Sequence, residues 1–180
     1  MNPESAIILL VIPQNRFCDQ QLLELKSNFE AVSLKTIILS KSGKEAIGEN
    51  KTKVLPDGIL VDWDKKFLLK NKYDAVVVVG GKGAKNSIWN DPILPQILTD
   101  HFRAGKIVGA LSQSIVALAR AGLLTRQEAS DPNDDKCVQE LENAGVFVVK
   151  DPLISSGGIV TAGEDAKLFS KEILRLLGFA

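Results

Sequence analysis

Ser112 lies where a buried strand, a tight turn and a helix follow one another, in the stretch from Lys106 to Arg120. Small residues, Ala110 and Ser114, stand two positions to either side of it. This layout predicts a nucleophile elbow, a strained strand-to-helix turn that lifts one side chain above the edge of a sheet. The Ser112 hydroxyl could then act as a nucleophile if a base lay within about 3 Å.

The sequence does not offer Ser112 an obvious base. His101 is the single histidine, and it precedes the strand that ends at Leu111. Five strand residues at about 3.3 Å each place it some 16 Å away, at the opposite edge of the sheet, where we predict a helix-surface residue. Lys82 and Lys85 could act only if desolvated, and the loop that carries them is expected to be wet. A serine hydrolase completed by His101 of a partner protomer has no support in the sequence.

Cys18 is the second candidate nucleophile, at another strand-to-helix junction. A helix N-terminus lowers the pKa of a thiol, although Asp19, which we predict to be the N-cap, would partly oppose this. Alternatively, Cys18 is a small apolar side chain that fills the end of the strand. Cys137 falls on the apolar face of a predicted helix and is expected to be a core residue.

The segment from Gly80 to Gly83, Gly-Gly-Lys-Gly, follows a third strand and defines what we call the glycine loop. Its backbone N–H groups could bind an oxyanion or a phosphate. It matches neither the P-loop pattern nor G-x-G-x-x-G, and a sharp strand-to-helix turn is the alternative interpretation.

Composition restricts the class of protein. The chain has 180 residues, 45% of them hydrophobic and 24% charged, with 22 basic and 22 acidic side chains, which is typical of one globular domain spanning residues 1–180. No basic stripe indicates nucleic-acid binding, and the apolar runs are too short to cross a membrane. The N-terminus lacks the features of a signal peptide, and the two cysteines match neither a disulfide framework nor a zinc site. We therefore expect a cytoplasmic protein without a metal or cofactor.

The apolar runs alternate with helical patterns. Strands are predicted at 6–12, 34–39, 74–79, 107–111, 146–149 and 159–161, and helices at 22–29, 93–103, 114–121, 133–143 and 164–177. This alternation predicts an α/β fold with a mostly parallel sheet and helices on both faces. The polar stretch 40–64 is expected to form a hairpin or excursion. Segments 14–19, 80–83, 112–113 and 161–164 should meet at the carboxyl edge of the sheet, where ligands bind.

These motifs together resemble the ThiJ/PfpI superfamily, which includes the DJ-one proteins. The anchors are Phe17-Cys18-Asp19, the run from Tyr73 to Gly81, and the run from Gly109 to Ser114 followed by 121–125. The resemblance covers about residues 6–177. It implies a flavodoxin-like three-layer sandwich related to class I glutamine amidotransferase domains, and a homodimer or larger homo-oligomer.

The resemblance also implies which positions do chemistry. The superfamily has a cysteine on the elbow, often followed by histidine, and a protonated glutamate past the first strand that hydrogen-bonds the thiol. Carried over by position, these become Ser112, Gln113 and Cys18. The backbone donors of the oxyanion-type site would be Gly81 and Gln113. Further cleft residues would be Asp19, Gly80 and Lys82.

All three side-chain roles depart from the superfamily pattern. Because a serine hydroxyl without a base is a poor nucleophile and cannot be oxidised as a thiol can, we expect a protein without classical cysteine peptidase or glyoxalase activity. Its cleft would bind a small molecule, its surface would mediate association, or it would have a stress-related role. The alternative is an enzyme of the protease/amidase or glyoxalase/deglycase type that uses Cys18 or Ser112, with Cys18 also a possible peroxide sensor.

Overall fold

A seven-stranded sheet forms the centre of the protein in the computed structural model, which describes residues 6–65 and 72–179. Its strand order is β10-β11-β7-β6-β1-β2-β5, and every neighbouring pair is parallel except β10 and β11. The strands are β1 (Ile7–Val11), β2 (Lys35–Ser40), β5 (Gly58–Ile59), β6 (Ala75–Val78), β7 (Ile107–Leu111), β10 (Leu153–Ser156) and β11 (Ile159–Ala162). The predicted mostly parallel sheet is confirmed.

Four shorter strands form two small sheets beside the main one: β3 (Ala46–Ile47), β4 (Lys53–Val54), β8 (Glu128–Ser130) and β9 (Phe147–Val149). The antiparallel pair β3–β4 is the hairpin expected within residues 40–64. Strand β9 was predicted, but it pairs with β8 rather than joining the main sheet. The sequence interpretation did not include β8 or β10.

Helices cover both faces of the sheet. They are α1 (Asp19–Glu30), α2 (Ala84–Ser87), α3 (Leu94–Arg103), α4 (Ile115–Arg120), α5 (Asp135–Asn143) and α6 (Ala166–Leu176). Successive residues of β1 point to opposite faces, so that Ile8 and Leu10 pack with α1 and α6, whereas Leu9 and Val11 pack with α3, α4 and α5. The side chains on both faces of the sheet are therefore apolar, as is typical of a parallel sheet that helices cover on both sides.

Two points at the ends of the elements differ from the sequence interpretation. Asp19 is the first residue of α1, and Cys18 occupies the N-cap position without a side-chain capping bond. His101, predicted on a helix surface, is completely buried. The residue follows the apolar positions Leu94, Ile97 and Leu98 at helical spacing, so it belongs to the buried face of α3.

No helix in the described ranges combines the length and the apolar character needed to cross a bilayer. Residues 1–5, from which the absence of a signal peptide was argued, lie outside the described residues.

Candidate functional site at the carboxyl edge of the sheet

Ser112 directly follows β7 and adopts a φ of 44°, in the left-handed region that L-residues rarely occupy. A short 3₁₀ turn, Ser112–Ser114, then leads into α4. The Ser114 hydroxyl donates to the Val79 carbonyl at 2.6 Å, which fixes the turn to the end of β6. The geometry is that of the strained elbow predicted at Ser112, and a left-handed backbone there costs roughly 1–2 kcal/mol.

The side chain that contacts the Ser112 hydroxyl is Gln21, from the first turn of α1. Its Nε2 lies 3.2 Å from Ser112 Oγ, and its Oε1 accepts the Gly80 N–H at 2.8 Å. Both Gln21 and Ser112 are only 4% exposed. The side chain that hydrogen-bonds Ser112 is therefore Gln21, three residues beyond Cys18, to which the resemblance assigned this contact.

Gly80 lies against this pair so closely that only glycine fits. A Cβ added there would overlap Ser112 Oγ and would lie 2.7 Å from Gln21 Oε1. Its carbonyl accepts the Cys18 N–H at 2.8 Å. Gly80, which follows β6, thus contacts both the start of α1 and the elbow after β7, although it does not line the cleft itself.

The cleft in front of Ser112 has a volume of about 480 Å³. The predicted residues that line it are Cys18, Gly81, Lys82, Ser112 and Gln113. The other lining residues are Gln20, Gln21, Glu49, Asn50, Pro132, Asn133, Asp134 and Glu164. The segments expected to meet at the carboxyl edge of the sheet therefore do so, and the 49–50 and 132–134 segments add walls that the sequence interpretation had not assigned to the site.

Cys18 is half-buried at the edge of this cleft. Burial raises the pKa of its thiol above the ordinary value, and the charges of Glu49 and Asp19 act in the same direction. Backbone N–H groups of α1 lower the pKa, but not enough to offset burial. The helix N-terminus thus acts on Cys18 in the direction that one of the two interpretations required, but burial outweighs it. No hydrogen bond joins Cys18 to Ser112 among the residues that the structure describes.

Asp19 anchors a wall of the cleft instead of capping its own helix. Its carboxylate accepts the N–H groups of Asn50 at 2.8 Å and Thr52 at 2.9 Å. Burial would raise the pKa of this carboxyl, but the hydrogen bonds from Thr52 and Asn50 outweigh burial and hold the pKa below its ordinary value. Asp19 is therefore ionised and fixes the loop between β3 and β4, although it is not among the residues that line the cleft.

The two lysines considered as bases for Ser112 lie in different surroundings. Lys85 Nζ lies 3.0 Å and 3.2 Å from the two carboxylate oxygens of Asp134, so its ammonium group is held in an ion pair. Lys82 is exposed, and its backbone N–H donates to Glu49 Oε1 at 2.7 Å. Neither lysine side chain hydrogen-bonds Ser112 within the described part of the chain.

The remaining candidates lie away from the cleft. His101 is at the opposite, amino-terminal edge, where its Nε2 accepts the Tyr73 N–H at 3.1 Å. Because it is fully buried, it cannot reach into a partner protomer, and the shared serine hydrolase is excluded. Cys137 is a core residue as predicted, with burial raising the pKa of its thiol to about 12. Among the described residues, no group of three His, Cys, Asp or Glu side chains could hold a metal ion.

Comparison with known proteins agrees with this architecture. The DJ-1/PfpI family profile matches residues 6–176. An uncharacterised protein of Methanocaldococcus jannaschii is 30% identical over 178 residues, which cover 98% of this chain and 84% of that protein. The ThiJ/PfpI domain protein of Brachyspira murdochii superposes with a TM-score of 0.86 at 24% identity, covering 97% of both chains. Drosophila melanogaster DJ-1beta gives a TM-score of 0.81 at 19% identity, covering 97% of this chain and 92% of that one. With nearly its whole length matched, the chain belongs to the DJ-1/PfpI family.

Proposed function

We propose that this protein is an atypical member of its family, in which Ser112 stands in place of the elbow cysteine and the cleft binds a small molecule without cysteine-hydrolase chemistry. The observation that carries the proposal is the hydrogen bond from the Gln21 amide to Ser112 Oγ. A neutral amide in this position supports a binding role for the cleft, because it supplies hydrogen bonds but cannot take up a proton.

The orientation of the Gln21 amide follows from its neighbours. The Gly80 N–H can only donate, so the Gln21 atom that faces it must be the carbonyl oxygen. The NH₂ group then faces Ser112 Oγ and donates to it. A general base would have to accept the Ser112 proton, and an NH₂ group cannot do so. Ser112 is therefore held as a hydrogen-bonding group and is not activated as a nucleophile.

Gln21 reproduces the hydrogen-bonding pattern of a protonated glutamate. Both present a donor group and a carbonyl acceptor on a planar group, but the amide, with two N–H donors, keeps this pattern at every pH. The resemblance to the family implies a protonated glutamate beside the elbow thiol. The Gln21–Ser112 hydrogen bond joins an amide and a hydroxyl, neither of which is an acid or a thiol, and this supports a binding protein over a hydrolase.

The first test is turnover. We expect wild-type protein and Ser112→Ala to show the same background rates on methylglyoxal, p-nitrophenyl acetate and a small anilide. Ser114→Ala is the matched control, because its hydroxyl supports the same turn from the other side. Activity that is lost in Ser112→Ala and kept in Ser114→Ala would contradict the proposal.

The alternative enzyme would use the Cys18 thiol, and it is supported by the position of Cys18 on the cleft. Because burial raises the pKa of this thiol, we expect iodoacetamide to label Cys18 more slowly in the folded protein than in urea-unfolded protein at pH 7.5. Faster labelling in the folded state would favour the enzyme, with Cys18 sulfenic acid as the product to look for after peroxide treatment.

We further propose that the protein acts in the cytoplasm, in a stress-related role, and assembles as a homodimer or larger homo-oligomer. The family resemblance supports these assignments. Light scattering coupled to size exclusion should give at least twice the 19.5 kDa mass of the chain, and a monomer at micromolar concentration would contradict the assembly.

A further inference from the structure

The glycine loop is occupied by oxygens of the protein itself. Its successive backbone N–H groups donate from Gly80 to Gln21 Oε1 at 2.8 Å, from Gly81 to Gln113 Oε1 at 3.1 Å, and from Lys82 to Glu49 Oε1 at 2.7 Å. Binding of an oxyanion or a phosphate was one of the two interpretations of this loop from the sequence. In this structure, three side chains already fill that role.

The three occupants differ in how readily they could leave. All three side chains line the cleft, but Gln21 is only 4% exposed, whereas Gln113 and Glu49 are partly buried. The Gln113 bond is also the longest of the three. The backbone of Gln113 is fixed separately, because Trp89 Nε1 donates to its carbonyl at 2.7 Å. The Gln113 carboxamide can therefore rotate away from Gly81 without any change in the elbow.

Ser112 supplies a second donor at the same place. Its Oγ accepts from Gln21, and among the residues that the structure describes no hydrogen bond has the Ser112 hydroxyl as its donor. Ser112 is 96% buried but lines the cleft. A ligand there would thus meet one free O–H donor beside the N–H that Gln113 now covers.

The charged side chains around these two donors favour a neutral ligand over an anionic one. Glu49 and Glu164 line the cleft, and Lys82 balances only one of them, while Asp134 is paired with Lys85. Like charges in a shared cleft repel, so a carboxylate would be disfavoured. A neutral carboxamide fits both requirements, because its oxygen accepts and its NH₂ group donates to a carboxylate.

We propose that the Gln113 side chain is a built-in occupant of a carboxamide-binding site, formed by the Gly81 N–H and the Ser112 hydroxyl and bordered by Glu49 and Glu164. A small neutral carboxamide enters when Gln113 rotates out, and its carbonyl oxygen replaces Gln113 Oε1. The proposal rests on the small-molecule-binding function above and names the class of ligand and the residue that controls access.

The experiment follows the Gly81 backbone amide by NMR in ¹⁵N-labelled protein, with propionamide and propionate as an isosteric pair of probes. In Gln113→Ala, we expect propionamide to move the Gly81 signal at about one-tenth of the concentration that wild type needs, because no internal occupant competes. Propionate should move it less at equal concentration. Gln113→Ser is the second variant, since its side chain is too short to reach Gly81.

Two control variants separate this effect from a general loosening of the cleft. Gln20→Ala removes another glutamine that lines the cleft but does not bond the loop, and it should behave as wild type. Gln113→Glu keeps an oxygen that can reach the Gly81 N–H but is repelled by Glu49 and Glu164, so its gain should lie between those of wild type and Gln113→Ala. Equal binding in Gln113→Ala and wild type, an equal gain in Gln20→Ala, or binding of propionate as good as that of propionamide would overturn the proposal. Ser112-dependent turnover would instead overturn the proposed function and leave the titration readable.

Discussion

Strand β6 has a buried side chain bound to the backbone at each of its ends, and the two ends behave differently. Before the strand, the Tyr73 N–H donates to His101 Nε2 at 3.1 Å. After it, the Gly80 N–H donates to Gln21 Oε1 at 2.8 Å. In both places a side chain from a covering helix satisfies a buried backbone donor that no strand partner reaches.

The two acceptors differ in what their second polar group does. His101 Nδ1 donates to the Ile97 carbonyl at 2.6 Å, and its ring packs against Trp63 and Tyr73 with centroids 5.1 Å and 5.9 Å apart. Both of its nitrogens are thus used inside the protein. Gln21 instead turns its second group towards Ser112 and the cleft. The polar groups of His101 are thus used within the fold, whereas Gln21 at the other end of β6 also lines the cleft for which we propose ligand binding.

The largest effect is expected from Gly80→Ala, which would disrupt the contacts after β6 and leave those of His101 before β6 unchanged. The added Cβ would overlap Ser112 Oγ and press on Gln21 Oε1, so the pair could not keep its positions. We expect a loss of about 3–5 kcal/mol in the free energy of unfolding, measured by urea denaturation. Gly122→Ala is the control, since it has a φ of 75° but open space around it, and it should cost only about 1 kcal/mol. Equal losses in the two variants would show that close contact at Gly80 is not the cause.

A smaller effect is expected from Gln21→Glu. This variant would place an ionisable side chain after β6, as His101 does before β6. Burial should raise the pKa of the new carboxyl, so the folded state would hold its proton to higher pH than the unfolded state. Stability is then full below the unfolded pKa of about 4.3 and is lost as the pH rises through the folded pKa. We expect Gln21→Glu to match wild type below about pH 4 and to fall about 1–3 kcal/mol below it at pH 8. Gln20→Glu, on the exposed neighbouring position, should show no such slope.

The smallest expected effect is a decrease in the free energy of unfolding of the wild-type protein in acid, caused by His101. Burial lowers the pKa of His101 below its ordinary value of 6.5, so the unfolded chain binds this proton more readily. Stability is therefore full above about pH 6.5 and declines as the pH falls, by at most about 1.4 kcal/mol per pH unit for one proton. Urea denaturation between pH 7.5 and 5.5 measures this decline. His101 is the single histidine, so His101→Gln should remove the slope in this range. An unchanged slope in that variant would contradict the assignment.

The sequence predicted the sheet and the location of the site because these depend on apolar periodicity and on the order of strands and helices. It failed where a polar side chain lies on a buried helix face. Gln21 precedes Leu22 and Leu25 on the inner face of α1, and His101 follows Ile97 and Leu98 in α3. His101 was assigned to a helix surface because it is polar, and Gln21 was given no position because the predicted helix began at residue 22.

The partner of Ser112 was missed for a related reason. Matching the family motif by position placed the role at Cys18, whereas Gln21 lies one helical turn further on and on the same side of α1. Which of the two reaches the elbow depends on the close approach of α1 to Gly80, and no local pattern in the sequence encodes that distance. The occupation of the glycine loop by Gln113 and Glu49 is likewise a property of the assembled cleft.

The anchoring of the β3–β4 loop by Asp19 has a kinetic consequence for the cleft. Two charge-assisted bonds to Asn50 and Thr52 hold that wall, so moving it requires local unfolding, which occurs on the microsecond-to-second timescale. The Gln113 side chain needs only a change of rotamer, which at a partly exposed position takes picoseconds to nanoseconds. The entrance can thus open and close many times while its wall stays in place, and a ligand would meet a binding site whose frame is already formed.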